Sequence, residues 1–210
     1  MHILVTAGPT REHLDPVRFI SNRSSGKMGY AIAQQAARRK HRVTLVSGPV
    51  SLPPPASVEL VSVVSALDML AAVERCLPEC DALIMCAAVA DWRPREIATD
   101  KLKKSTMQPT IELVPNPDIL STIAPLKDNR IFIGFAAETD DLIANATDKL
   151  VHKGLDMIVA NDVSATDAGF GVDTNRVSLL TPDAPPSHLP LLAKSEVADV
   201  ILDWLERQLR

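Results

Sequence analysis

Cysteine, long apolar runs and excess positive charge are all scarce in this sequence, and each shortage removes a class of protein. Three cysteines, Cys76, Cys80 and Cys86, are an odd number without zinc-ligand spacing. That argues for buried, reduced thiols rather than a disulfide framework or a metal site. The longest uninterrupted apolar run covers residues 82–90, well short of the ~20 residues that span a bilayer. A formal net charge of −4 and a pI near 5.7 exclude a broadly basic face for nucleic acid or anionic membrane. Met1 leads straight into the β-branched run His2-Ile-Leu-Val-Thr-Ala7, with no basic region, apolar signal core or cleavage site. The expected location is therefore the cytoplasm.

Two further shortages bear on nucleotide binding. A dinucleotide fingerprint needs three closely spaced glycines after the first strand and an acid at the end of the second. Here Gly8 stands alone, and the second strand ends Ser47-Gly48-Pro49 without a carboxylate. A short-chain reductase needs Lys four residues after a Tyr, but the one tyrosine, Tyr30, is followed at that spacing by Gln34. A phosphate-binding P-loop fails as well, because Gly26-Lys27 precedes Met28 and lacks its upstream glycine.

What is present is an α/β rhythm in 210 residues that are 46% hydrophobic, enough for one good core. Strands are predicted at 2–7, 42–47, 58–64, 82–86, 131–135 and 156–160, with an edge strand at 176–180. Residues 11–21 read as a polar loop. Helices are predicted from Gly26 to about Lys40, over 66–76, from Asn116-Pro117-Asp118 to about Ala124 with Pro117 in the first turn, from Asp140-Asp141 to Lys153-Gly154, and over 194–209. Ser24 or Ser25 is the candidate N-cap of the first helix. Gly169-Phe-Gly171 reads as a loop. Between about 93 and 114 the rhythm breaks, and the segment reads as a flap that leaves the sheet, with an exposed strand at 110–114. The expectation is a single Rossmann-like domain over 1–210, three layers αβα around a mainly parallel sheet, plus a protruding flap.

In such a fold, ligands meet the carboxyl ends of the strands. Several polar or small-residue loops fall there: Gly8-Pro9-Thr10, Ser24-Ser25-Gly26, 87–91, 135–138 and Asn161-Asp162. The stretch Ser21-Asn-Arg-Ser-Ser-Gly-Lys-Met-Gly29 hands over to a helix whose free N–H groups favour an anion, with Arg18 and Asn22 beside it. Asp91 suits Mg²⁺ or a hydroxyl, the alternative being an N-cap or salt-bridge role. Lys101, Lys103 and Lys104 suit either a triphosphate or plain solvation. Lys149 and Lys153, one turn apart on one helix face, suit nucleotide phosphates or the helix dipole.

These segments, together with Asn116-Pro-Asp118, Gly134-Phe-Ala-Ala-Glu138 and Ala160-Asn-Asp-Val163, resemble the phosphopantothenate–cysteine ligase family, of the bacterial CTP-using type. The resemblance implies activation of 4′-phosphopantothenate by CTP with Mg²⁺ to an acyl-cytidylate, then displacement of CMP by L-cysteine. It implies catalytic roles for Asn22, on the acyl intermediate, and Lys101, on the triphosphate. Arg18, Asn22, Ala87, Ala88 and Asp91 match substrate contacts. Gly8, Thr10, Ser24, Ser25, Gly26, Asp91, Lys101, Pro117, Asp118, Ile119, Leu120, Phe135, Lys149 and Lys153 match nucleotide contacts, with Asp91 also the metal candidate. The family is dimeric, its flap contributes to the interface, and Arg18 is expected to reach the partner's site. Many members are fused behind a flavin-dependent decarboxylase, and this chain resembles a stand-alone or excised ligase. Two other classes stay open: a nucleotide-sensing module without catalysis, and a nicotinamide oxidoreductase.

Overall fold

A computed structural model describes residues 1–104, 110–138, 141–162, 169 and 171–209. In chain order the first half contains β1 (His2–Ala7), β2 (Arg11–His13), β3 (Phe19–Ser21), α1 (Lys27–Arg38), β4 (Arg42–Ser47), β5 (Glu59–Ser62), α2 (Ala66–Cys76) and β6 (Ala82–Met85). The flap base supplies β7 (Trp92–Pro94) and β8 (Leu113–Pro115), followed by α3 (Ile119–Ile123), β9 (Ile131–Glu138), α4 (Leu142–His152) and β10 (Met157–Asp162). The last part holds β11 (Thr174–Asn175), β12 (Val177–Thr181), β13 (Ala184–His188), β14 (Leu192–Ala193) and α5 (Lys194–Gln208).

Eight strands form one sheet in the order β13-β12-β10-β9-β6-β1-β4-β5. The six from β10 to β5 pair in parallel, and β12 and β13 join antiparallel. Numbered by chain position, the parallel strands run 3-2-1-4-5-6. This is the doubly wound arrangement, whose crevice opens where the order reverses, here between β1 and β6. The β1 residues alternate between two buried layers. Ile3 and Val5 pack with α1 and α5, while Leu4 packs on the other face with α2, α3 and α4. Burial on both faces explains why this strand reads as a continuous apolar run.

The α/β reading holds, with local corrections. Residues 11–21 are not a plain loop: β2 and β3 pair as a hairpin, Arg11 opposite Ser21. Neither Ser24 nor Ser25 caps α1. The cap is Gly26 at φ 78°, a left-handed conformation that glycine adopts without Cβ strain, and its N–H donates to the Ser24 hydroxyl at 3.3 Å. Pro117 lies before the α3 cap, Asp118, rather than in the first turn. The strand expected at 58–64 shortens to Glu59–Ser62, and the one at 110–114 to Leu113–Pro115. The strand near 176–180 is not the edge, because β13 covers it. Its prolines, Pro185 and Pro186, are tolerated where no further strand needs their missing N–H groups. Asp140, Val163 and Phe170 lie outside the described residues. Within those residues no helix is long and apolar enough to cross a membrane.

A candidate anion-binding cleft at the carboxyl edge of the sheet

Hydrogen bonds from one side chain to its neighbour's backbone shape the crevice. Thr6, buried in β1, accepts the N–H groups of Cys86 and Ala87 on its hydroxyl, each at 3.1 Å. Gly8 and Ala88 are joined by the Ala88 N–H and the Gly8 carbonyl at 2.9 Å. Thr10 accepts the Ala90 N–H at 3.0 Å. The 87–91 turn is thereby stitched to the end of β1, with its small side chains leaving room for a ligand. Gly29 lets α1 settle against β1: a Cβ there would lie 2.6 Å from the Ala7 Cβ and 2.8 Å from the Thr6 carbonyl oxygen.

The carbonyls of this turn are also occupied. Asn22 donates its amide N–H groups to the carbonyls of Ala88 and Val89, both at 3.1 Å. Asn116 donates to the Ala90 carbonyl at 2.8 Å, and its backbone N–H to that of Asp91 at 2.8 Å. Two asparagines from separate loops therefore fix the turn from either side.

Around it lies a cleft of about 660 Å³, within the range of small-molecule sites. One wall is the start of α1, with Asn22, Ser24, Ser25 and Gly26, and the floor includes Ala87, Ala88 and Asp91. The opposite wall is residues 117–120, Phe135, Lys149 and Lys153. Fourteen of the eighteen residues expected at the site thus share one cleft. Arg18, Gly8, Thr10 and Lys101 are not among its lining. Gly8 and Thr10 sit behind the 87–91 turn and act through it. Lys101 is exposed on the flap base, and Arg18 is tied to Asp15 and the Leu102 carbonyl.

Charge distinguishes this cleft from the rest of an acidic chain. Arg23, Lys27, Lys149, Lys153 and Lys194 line it, against the acidic Asp91 and Asp118. Lys153 pairs with Asp118 at 2.9 Å. Burial works to raise the Asp118 carboxyl, but the bonds from Lys153 and the Ser121 N–H outweigh it and hold the group below its ordinary value. Deeper in, Lys194 is buried and donates to the carbonyls of Gly169 and Val172. Its burial and the neighbouring Lys27 lower its pKa. Desolvation pushes the Cys86 thiol up to about 12, which disfavours its thiolate near neutrality.

Sequence reasoning missed the inner end of the cleft. Lys194 opens α5 and Asn175 closes β11, so only the fold's topology brings them beside Met28. Asn161 was recognisable as a strand-end residue. Its Oδ1 is buried and, among the described residues, without a hydrogen-bond partner. The described residues contain no group of three or more His, Cys, Asp or Glu poised for a metal. Asp91, exposed at the cleft, is a single carboxylate. That suits Mg²⁺ arriving with a polyphosphate, since this ion keeps its waters and needs only one or two protein carboxylates.

The chain is 50% identical to the coenzyme A biosynthesis bifunctional protein CoaBC of Escherichia coli (strain K12) over 207 residues, 97% of this chain and 51% of that protein. It is 47% identical to the CoaBC of Bacillus subtilis (strain 168) over 202 residues, 96% of this chain and 50% of that one. It therefore spans about half the length of these curated relatives. Among solved structures, the C-terminal domain of a CoaBC superposes with a TM-score of 0.85 at 46% identity, covering 99% of this chain and 95% of that one. Residues 1–209 match one family model along nearly the whole chain. With the doubly wound sheet and the strand-end cleft, that match places the chain in the DNA/pantothenate metabolism flavoprotein C-terminal domain family.

Proposed function

We propose that the chain is a phosphopantothenate–cysteine ligase using CTP and Mg²⁺. The carrying observation is the cleft itself, where five cationic side chains and the N-terminal pole of α1 converge in a chain of net charge −4. Bringing a carboxylate and a phosphate ester up to a triphosphate requires positioned positive charge, and the transition state is stabilised by it.

In the first step a carboxylate oxygen of 4′-phosphopantothenate attacks the α-phosphorus of CTP, and the bond to pyrophosphate breaks. In the second, the cysteine amine attacks the acyl carbon, loses a proton, and CMP departs. Lys149 and Lys153, with the 117–120 turn and Phe135, form the nucleotide side. The start of α1 and the 87–91 turn form the acid side. Asp91 would be the protein contact of a bound Mg²⁺, which would neutralise charge on the triphosphate. Asn22 belongs to the acid side, where it bonds to the Ala88 and Val89 carbonyls of the turn. Holding the acyl oxygen would transfer one of its N–H groups from a backbone carbonyl to the ligand, at a point where charge develops during amide formation.

Arg18 and Lys101, which stand off this cleft, fit a homodimer in which each subunit serves the other's site. Val17, Phe19, Trp92, Ile97, Ile111 and Leu113 leave large apolar side chains exposed on the β2–β3 hairpin and the flap. Apolar surface concentrated this way marks an interaction site, and a second copy would cover it. The bifunctional relatives favour a decarboxylase acting alongside, on the same or another chain.

The test is pyrophosphate release with each nucleoside triphosphate, with and without phosphopantothenate and cysteine. Release that requires the acid, prefers CTP and turns over only with cysteine supports the reading. Binding of nucleotide without any release would replace it with a sensing module.

A further inference from the structure

We propose that Asp15 is a positioning residue for the flap, its carboxylate fixing the backbone at Leu102, one residue beyond Lys101. The Asp15 side chain has no exposed surface. Its Oδ1 accepts the backbone N–H groups of Val17 and Arg18, each at 2.8 Å, which sets the turn between β2 and β3. Its Oδ2 accepts Nε and Nη2 of Arg18 at 3.0 and 2.5 Å, and the N–H of Leu102 at 3.1 Å. Arg18 Nη2 also donates to the Leu102 carbonyl at 2.8 Å. Leu102 is thus gripped by both its backbone donor and its acceptor, from a carboxylate and a guanidinium already locked to each other.

The same two segments are joined once more by the Ala98 N–H and the Leu14 carbonyl at 3.0 Å. Lys101 itself is exposed, so the clamp next door is what limits where its backbone can go. Five donors converge on Asp15, and a carboxylate is the only side chain of this size that is acceptor on both atoms. Asparagine keeps only one acceptor oxygen, so its NH₂ would face either the Val17 and Arg18 backbone N–H groups or the Leu102 N–H and the Arg18 guanidinium, and donors would meet a donor in both orientations.

The kinetic arm of the test rests on the proposed role of Lys101 in activation; the structural arm does not. In the structural arm, hydrogen exchange is followed for the 98–104 segment in wild type, Asp15→Asn and Leu102→Pro. The last removes the gripped N–H and leaves the carboxylate intact, so it still reports if Asp15→Asn folds poorly. Both substitutions are expected to lower protection of that segment at least tenfold while the β1 and β6 amides keep theirs. Unchanged protection in the 98–104 segment would overturn the clamp.

In the kinetic arm, Asp15→Asn is expected to lower kcat for acid-dependent pyrophosphate release on the order of tenfold, with KM for nucleotide within about twofold. In a Lys101→Ala background the same substitution is expected to change kcat less than about twofold, because the group it positions is gone. Additive losses would overturn positioning through Lys101. Absence of pyrophosphate release from wild type would refute the ligase reading while the exchange result still decides the clamp.

Discussion

Lys153 donates to Asp118 at 2.9 Å, and this one ion pair closes the outer wall of the cleft by joining the end of α4 to the cap of α3. Asp118 also accepts the Ser121 N–H at 3.1 Å, so it orients the short helix whose preceding turn borders the proposed nucleotide side. Lys153→Ala removes a cation from the cleft and loosens that turn. The expected result is a KM for CTP raised on the order of tenfold with kcat little changed, the pattern of an interaction present in ground and transition states alike. Steady-state kinetics with varied CTP checks it; a fall in kcat with KM unchanged would assign Lys153 to the chemical step instead.

In the proposed mechanism Asn22 separates the two chemical steps. Asn22→Ala is expected to leave acyl-cytidylate formation in place and slow amide formation on the order of 10²–10³, the usual cost of removing one donor to a developing oxyanion. Rapid quench with labelled nucleotide should show the intermediate accumulating. Wild-type turnover in this variant would remove Asn22 from the mechanism.

Close packing of α1 on β1 sets the position of the α1 pole. In Gly29→Ala the new methyl meets the Ala7 Cβ at 2.6 Å and the Thr6 carbonyl oxygen at 2.8 Å. Both are backbone or backbone-adjacent and cannot swing away. Overpacking of this kind costs about 1–3 kcal/mol, read from urea unfolding. Unaltered stability would mean that the helix shifts freely, and the site geometry would not depend on Gly29.

Remote from the cleft, Arg39 holds α1 to α5 through Asp199 at 2.7 Å, Asp203 at 2.6 Å and Glu206 at 3.3 Å. Glu206 also meets His41 at 2.9 Å. Its carboxyl is held below the ordinary value chiefly by the His41 hydrogen bond, with burial opposing and Arg39 assisting. A depressed folded pKa gives stability that is present above the unfolded value and lost as pH falls through the folded one. Glu206→Gln is therefore expected to destabilise at pH 7, the difference from wild type fading below about pH 4. Thermal melts across pH test this, and a difference that persists or grows under acid would contradict it.

Much of the parallel sheet was legible because its strands are apolar on both faces, as in β1, and its helices carry local signals. The α2 boundaries follow from the capping box that Ser65 and Asp68 form, and the spacing of Lys149 and Lys153 put both on one helix face, which the fold turns toward the cleft. The β2–β3 hairpin was hidden because two half-exposed strands of three residues each are too short to carry a periodicity. The β13 edge was masked by two prolines, which propensity reads as a breaker. Of the cleft, the loops at strand ends could be read directly, since a parallel sheet gathers them on one edge. The inner residues Lys194 and Asn175 could not, because long-range topology alone carries them there. Arg18 and Lys101 drew attention as cations; that Arg18 and Asp15 together hold Leu102, the residue after Lys101, emerges only in three dimensions.

The claim at the centre of this account is that the cleft makes a mixed anhydride between an acid and a nucleotide. Exchange of labelled pyrophosphate into CTP, measured with phosphopantothenate present and cysteine omitted, tests it most directly. The account predicts exchange that depends on the acid and on Mg²⁺ and that disappears when either is left out. Exchange that proceeds without phosphopantothenate, or none under any condition, would contradict it.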